Sequence, residues 1–348
     1  MPIRVGFLGC GAIAHQHLQR VLALTGLEPA AAYNRSPQRL KAFGEAGGIP
    51  RGRLYTDWRR MLEEAQLDAV AVCLPNALHA QTTVAALEAG LHVLCEKPMA
   101  TTPGEARRMV EAAQRCKRVL LVGLTRRFTG EAQAAKRAVE AGLLGQVYYA
   151  HAQWTRRSGI PGWGSWFTRR SLAGAGPTLD LGVHVLDLAC WLTGCFQAEQ
   201  VLASAYSHLG PKGTGLGGWG TPDPTGYFDV EDFSTALIKM ADGSTIALET
   251  GWAAHTPQTR LSVTLLGEKA GLHVEEAQIH AIGQPPTPLS PAPLDPYAEE
   301  WRHFTDCMEG RAQPLTTPQE MLALQKTLNM VLLSAQENRV VYPDELDP

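Results

Sequence analysis

IRVGFLGCGAIA, residues 3–14, runs a short apolar stretch straight into G-x-G-x-x-A at Gly9, Gly11 and Ala14. The pattern predicts a buried strand, a tight turn and the first residues of a helix, with Ala12 and Ile13 between the second glycine and Ala14. Gly9 permits the turn, Gly11 lets backbone approach a pyrophosphate, and Ala14 keeps the helix close to its strand. Phosphates then meet the N–H groups of a helix N-terminus, so the stretch reads as a dinucleotide site at the start of a doubly wound sheet.

Outward from there the rhythm continues to about residue 123. The runs IRVGFLG, PAAAYN, DAVAVCLP, HVLCE and VLLVG alternate with amphipathic segments. Ser36 before Pro37 and Thr102 before Pro103 mark helix starts. This predicts an α/β Rossmann domain over 1–123 with buried parallel strands.

From 124 to 348 the pattern differs. A helix near 130–142 precedes longer, alternating runs, among them VYYAHAQW, FSTALIKM, STIALETGW and RLSVTLLG, with turns such as ADGS between them. They predict an α+β domain with an open, mainly antiparallel sheet and helices on one face. GPKGTGLGGWGTPDPTG (210–226) and GQPPTPLSPAPLDP (283–296) read as surface connectors.

The 348 residues are enough for two domains, and 45% hydrophobic with 19% charged residues is a globular composition. A formal net charge of −3 offers no general attraction to nucleic acid or anionic membrane. No run approaches the roughly 18 apolar residues of a membrane span, and no leader precedes the first strand, so a cytoplasmic protein is expected. Seven scattered cysteines, without a C-x-x-C pair or zinc spacing, read as free thiols and give no metal site.

Where an NAD site usually has Asp or Glu to grip the ribose, the second strand ends at Asn34, followed by Arg35 and Ser36. A cation and a hydroxyl suit a 2′-phosphate, so NADP is slightly favoured over NAD. CLPNALHA (73–80) closes a further strand and offers Leu74, Pro75, Asn76 and His79 to the cofactor.

Lys97 follows HVLCE and precedes Pro98, at the carboxyl end of a strand, where open α/β sheets collect ligands. Its ammonium can stabilise negative charge on an oxygen as hydride moves, and Glu96 can hold the lysine or a ribose. A proton carrier is expected from the second half. PTLDLGVHVLDLACWLTG (177–194) is apolar nearly all round, except for Asp180, His184, Asp187 and Trp191, spaced four, three and four residues apart on one helical face. Asp180 one turn before His184 can orient the imidazole. QWTRRSGIPGWGSWFTRR (153–170) adds Arg156, Trp163 and Trp166 as groups for stacking on a sugar ring and binding hydroxyls or carboxylates.

The glycine motif, LPNALH (74–79), CEKP (95–98), RRF (126–128), GLLGQV (142–147) and DLGVHVLD (180–187) together resemble the Gfo/Idh/MocA oxidoreductases over nearly the whole chain. The resemblance implies a nicotinamide cofactor at 9–14, 34–36, 74–79 and 96–97. It places Lys97, Asp180 and His184 at the family's catalytic positions, and Arg127 and Trp166 near nicotinamide or substrate. It implies a sugar, cyclitol or related polyhydroxylated substrate and a homodimer or homotetramer. Two other activities fit the same motifs: a glycosidase that retains its NAD, and a non-catalytic nucleotide sensor. AGAGPTLD before Asp180, where relatives often carry three glycines, and Asn34 depart from the family pattern.

Overall fold

The computed structural model describes residues 1–346. The chain divides into two compact units, one of Met1–Ala100, Gly104–Thr125 and Asp295–Leu322, the other of Thr101–Pro103, Arg126–Leu294 and the chain from Ala323 on.

The first unit contains six strands, β1 (Ile3–Leu8), β2 (Leu27–Tyr33), β3 (Leu54–Tyr55), β4 (Ala69–Val72), β5 (His92–Glu96) and β6 (Leu120–Gly123), in the order β3-β2-β1-β4-β5-β6. All neighbours are parallel. β4 reads AVAV and is buried along its whole length, as a strand covered on both faces must be. The order reverses between β1 and β4, so the loops after these strands flank the switch point where such sheets bind ligands.

One boundary differs from the expected division at 123/124. After the second sheet the chain returns to the first unit, where helix Pro296–Met308 places Trp301 and Phe304 in the same core as Phe7, Leu18, Phe43 and Leu94. Truncating a buried aromatic of this kind costs roughly 3–5 kcal/mol, which ties the helix to that core. Its amphipathic sequence shows that it packs but not on what. Asp295 caps it by accepting the Tyr297 and Ala298 N–H groups.

The second unit is built on eight strands: β7 (Val147–Thr155), β8 (Ala198–Tyr206), β9 (Phe233–Met240), β10 (Thr245–Gly251), β11 (Arg260–Gly267), β12 (Gly271–His273), β13 (Gln278–His280) and β14 (Thr287–Pro288). Their order is β14-β13-β12-β11-β7-β10-β9-β8. Neighbours are antiparallel, as expected, except β7 and β10, which run parallel. Ile238, Met240, Ile246, Leu248, Val263 and Leu265 are buried, while the alternate residues Thr235, Leu237 and Leu266 face outward or lie partly open. Helix Val183–Thr193 packs on the strands β7, β10 and β11.

Candidate active site

In the first unit Gly9 has φ +105°, and a Cβ there would lie 2.3 Å from the Cys73 carbonyl oxygen, so glycine is required by the turn itself. Gly11 is different. Nothing lies within 4 Å of where its Cβ would project. Gly11 also precedes helix Ala12–Ala23 with no side-chain cap, leaving the first N–H groups of the helix to an outside acceptor. Open space over a glycine and an uncapped helix N-terminus both fit a pyrophosphate. Ala14 is fully buried against the sheet, while Ala12 is exposed and Ile13 partly so.

At the end of β2, the Asn34 side-chain oxygen accepts the Ser36 N–H at 2.8 Å, and the Ser36 hydroxyl accepts the Arg39 N–H as the cap of helix Pro37–Gly47. Both side chains therefore shape the turn, while Arg35 stands exposed. Leu74 and Pro75 are partly open, and Asn76 is buried. His79 is buried, with Nδ1 2.8 Å from the Pro98 carbonyl and Nε2 2.8 Å from the Leu74 carbonyl, and a neutral ring donates to one of the two. Burial also holds His79 below the usual histidine range.

Lys97 is the one partly exposed residue between Val93 and Ala100. Glu96 is 6% exposed. One of its oxygens is 2.8 Å from His17 Nε2, and the other accepts the Lys97 backbone N–H at 3.2 Å. Burial pushes the Cys10 and Cys95 thiols up to about 12, which keeps them protonated and unreactive at neutral pH.

In the second unit the segment carrying Asp180 opens with a π-helical turn, Thr178–Gly182, followed by helix Val183–Thr193. Such turns recur at functional sites. From Ala175 to Leu192 every residue is buried except Asp180 and His184. Glu231, which sequence reasoning passed over, is buried and accepts the Gly176 and Thr178 N–H groups with one oxygen. A negative charge at that N-terminus stabilises it. The Thr178 hydroxyl meets Ser234, and Ser234 meets Thr250, tying the turn to β9 and β10.

The parallel pair supplies two aromatic neighbours that sequence reasoning also missed. Trp252, just past β10, donates its indole N–H to Asp180 Oδ2 at 2.8 Å, and the Trp154 ring on β7 lies 5.5 Å from the His184 ring. The guanidinium groups of Arg126 and Arg156 sit 5.1 and 5.2 Å from the Trp154 ring. Arg156 thus stays beside His184's aromatic neighbour, partly exposed, with Nη1 on the Gly159 carbonyl.

Three expected site residues have other partners. Arg127 is fully buried, and its Nε and Nη2 clamp the equally buried Asp187, so the far half of the polar face is occupied by an ion pair. The Asp187 carboxylate supplies the counterion that a buried guanidinium needs. Trp163 donates its indole N–H to the Gly210 carbonyl and packs with Ile160, Leu181 and Trp252. Trp166 stacks on Phe167 at 3.8 Å and is partly exposed. The 210–226 stretch is more than a surface connector: Gly162 N–H reaches the Trp219 carbonyl, Asp223 N–H the Trp163 carbonyl, and Gly217 N–H the Ile160 carbonyl. Among the described residues no cluster of three His, Cys, Asp or Glu could hold a metal ion, and no helix is long and apolar enough to cross a membrane.

Comparison with known proteins adds the following. A family model described as an oxidoreductase family with an NAD-binding Rossmann fold matches residues 3–124, and a GFO/IDH/MocA C-terminal domain model matches 132–273. D-glucoside 3-dehydrogenase of Escherichia coli K12 is 35% identical over 281 residues, 80% of this chain and 79% of that protein. The structure of aldose-aldose oxidoreductase from Caulobacter crescentus complexed with glycerol superposes with a TM-score of 0.83 at 25% identity, covering 98% of this chain and 100% of that one. Levoglucosan dehydrogenase in complex with NADH and levoglucosan shares the fold, with a TM-score of 0.84 at 22% identity over 98% of this chain and 99% of that one.

Proposed function

The chain belongs to the Gfo/Idh/MocA family of NAD(P)-dependent oxidoreductases, and on that premise we propose that it oxidises or reduces a ring carbon of a sugar, cyclitol or related polyhydroxylated substrate. The observation that carries the reading is the exposure pattern: Asp180 and His184 are the open residues of an otherwise buried segment, and Lys97 is the open residue of another.

The nicotinamide, when bound, supplies the hydride acceptor or donor. In the oxidation direction His184 takes the alcohol proton, a step worth roughly 10²–10⁴-fold in such enzymes. Asp180, held at one oxygen by Trp252, keeps the imidazole oriented and favours its protonated form. The Lys97 ammonium stabilises the developing alkoxide. Gly9, Gly11, Ala12, Ile13 and Ala14 hold the pyrophosphate, with Leu74, Pro75 and Asn76 alongside. Arg156, Trp163 and Trp166, all partly exposed, are the substrate candidates.

NADP is favoured over NAD by the exposed Arg35 and by the absence of a carboxylate at Asn34. A cytoplasmic homodimer or homotetramer belongs to the same proposal, and light scattering reads the oligomer.

The test is a panel of D-glucosides, aldoses and inositols followed at the nicotinamide absorbance band with each cofactor, D-glucosides first because of the 35% identical relative. Lys97→Met is expected to bind NAD(P)H normally and lose about 10²-fold or more in turnover. A wild-type rate in that variant overturns the mechanism. Cleavage of a chromogenic glycoside without net nicotinamide change redirects it to hydrolysis, and cofactor binding without turnover on any member redirects it to sensing.

A further inference from the structure

His17 lies on the buried side of helix Ala12–Ala23, with no exposed surface. Both of its ring nitrogens are engaged. The Trp301 indole N–H donates to Nδ1 at 3.0 Å, and Nε2 stands 2.8 Å from Glu96 Oε1. An indole nitrogen can only donate, so Nδ1 is the bare nitrogen of the ring, and the proton sits on Nε2, where Glu96 accepts it. The imidazole is neutral, and the charge of the pair stays on Glu96. The other Glu96 oxygen accepts the Lys97 backbone N–H at 3.2 Å. Three hydrogen bonds therefore run from helix Pro296–Met308 to the peptide that bears Lys97.

We propose that His17 is a positioning residue: locked in one tautomer by Trp301, it fixes the Glu96 carboxylate and, through the Lys97 backbone, the aim of the Lys97 ammonium. This rests on the reading of Lys97 as the ammonium that stabilises the alkoxide. Misplacement of such a group by about 1 Å costs roughly 10²-fold in rate, so a rigid backbone anchor has a use there. Stability alone is a weak reason for the arrangement, because apolar residues of similar volume commonly stabilise a core as well as a buried charged network does. His79 Nδ1 stands 2.8 Å from the Pro98 carbonyl, on the other side of Lys97 in the chain.

The titratable groups facing the imidazole are Glu96 from β5 and Tyr297 from helix Pro296–Met308, whose ring lies 5.5 Å away. Glu300 of the same helix feels the charge of Glu96, which with burial favours its protonated form. Loss of the Trp301 donor would remove the contact that fixes the tautomer of the ring.

The experiment combines histidine ¹⁵N NMR on the whole protein with kinetics on the sugar panel. In the wild type, His17 is expected in the Nε2–H tautomer. Trp301→Phe is expected to release His17 from that single tautomer, to lower kcat about 10-fold, and to leave NAD(P)H affinity within about 2-fold. His17→Gln keeps an N–H for Glu96 and should retain several times the turnover of His17→Leu. If His17→Leu does not fold, Trp301→Phe carries the test. An Nδ1–H tautomer in the wild type, or a folded Trp301→Phe with wild-type kcat, overturns the proposal. No turnover by the wild type on the whole panel sinks the reaction and the positioning role together. Normal turnover with His17 in the Nδ1–H tautomer sinks the positioning role alone.

Discussion

Asp180 and Asp187 stand about two turns apart on one continuous helical segment and carry the same carboxylate, yet the fold treats them in opposite ways. Asp187 is fully buried and receives Arg127 Nη2 at 2.6 Å and Nε at 3.0 Å, with the guanidinium lying over Trp191 and Phe196. Asp180 keeps access to solvent and receives an indole N–H at 2.8 Å. One charge is neutralised inside the unit by a full counter-charge. The other is oriented by a neutral indole N–H. Helical spacing groups these residues on one face, and the nature of the donor separates them.

The comparison predicts that damage at the two ends of the face will appear in different measurements. The largest effect is expected at the open end. His184→Gln should lower kcat by about 10²–10⁴-fold, while its urea midpoint stays near wild type. At the closed end, Arg127→Met should cost about 3–5 kcal/mol in urea unfolding, because Asp187 is left buried without its counterion. Arg127→Met combined with Asp187→Leu should recover most of that loss, as replacing both members of a buried pair commonly does. Were Arg127→Met to abolish turnover at unchanged stability, the division of the helix would be wrong. Asp180→Asn keeps an acceptor for the Trp252 N–H and removes the charge. It should lower kcat about 10-fold with less than about 1 kcal/mol of destabilisation, read by the same two assays.

These contrasts also mark what could be read before any coordinates. The glycine turn, Lys97 at a strand end and the Asp180–His184 spacing are local, each written within a few neighbouring residues, and strand alternation in the second half foretold a largely antiparallel sheet. The Arg127–Asp187 pair joins residues 60 apart, and the Trp301–His17 bond joins residues 284 apart. No periodicity encodes such partners. Arg127 and Asp187 therefore looked available for chemistry, and His17 looked like one more residue of an amphipathic helix. Trp163 shows the same limit: its indole N–H is satisfied by Gly210 because the 153–170 and 210–226 stretches bond to each other, a partner no local spacing encodes. The parallel β7–β10 pair was hidden because almost ninety residues of crossover separate two strands that each alternate like an antiparallel one.

Glu300 extends the comparison to a carboxyl with neither kind of donor. It is fully buried, and among the described residues neither of its oxygens has a hydrogen-bond partner. Burial first, and then the charge of Glu96, push it well above the usual carboxylate range. An unfolded glutamate loses its proton near about pH 4.3, whereas the folded chain keeps this one to a much higher pH. Between those values the folded state binds more protons than the unfolded state, so the Glu300 contribution is present in full below about pH 4.3 and declines as pH rises towards the folded value. Glu300→Gln cannot ionise and should lose this slope. Above about pH 4.3 the wild type should lose stability relative to the variant by up to about 1.4 kcal/mol per pH unit, until Glu300 ionises in the folded chain. Thermal unfolding of both proteins across that interval measures it, and parallel curves would mean that Glu300 is ionised and has a cation that balances it, like Asp187.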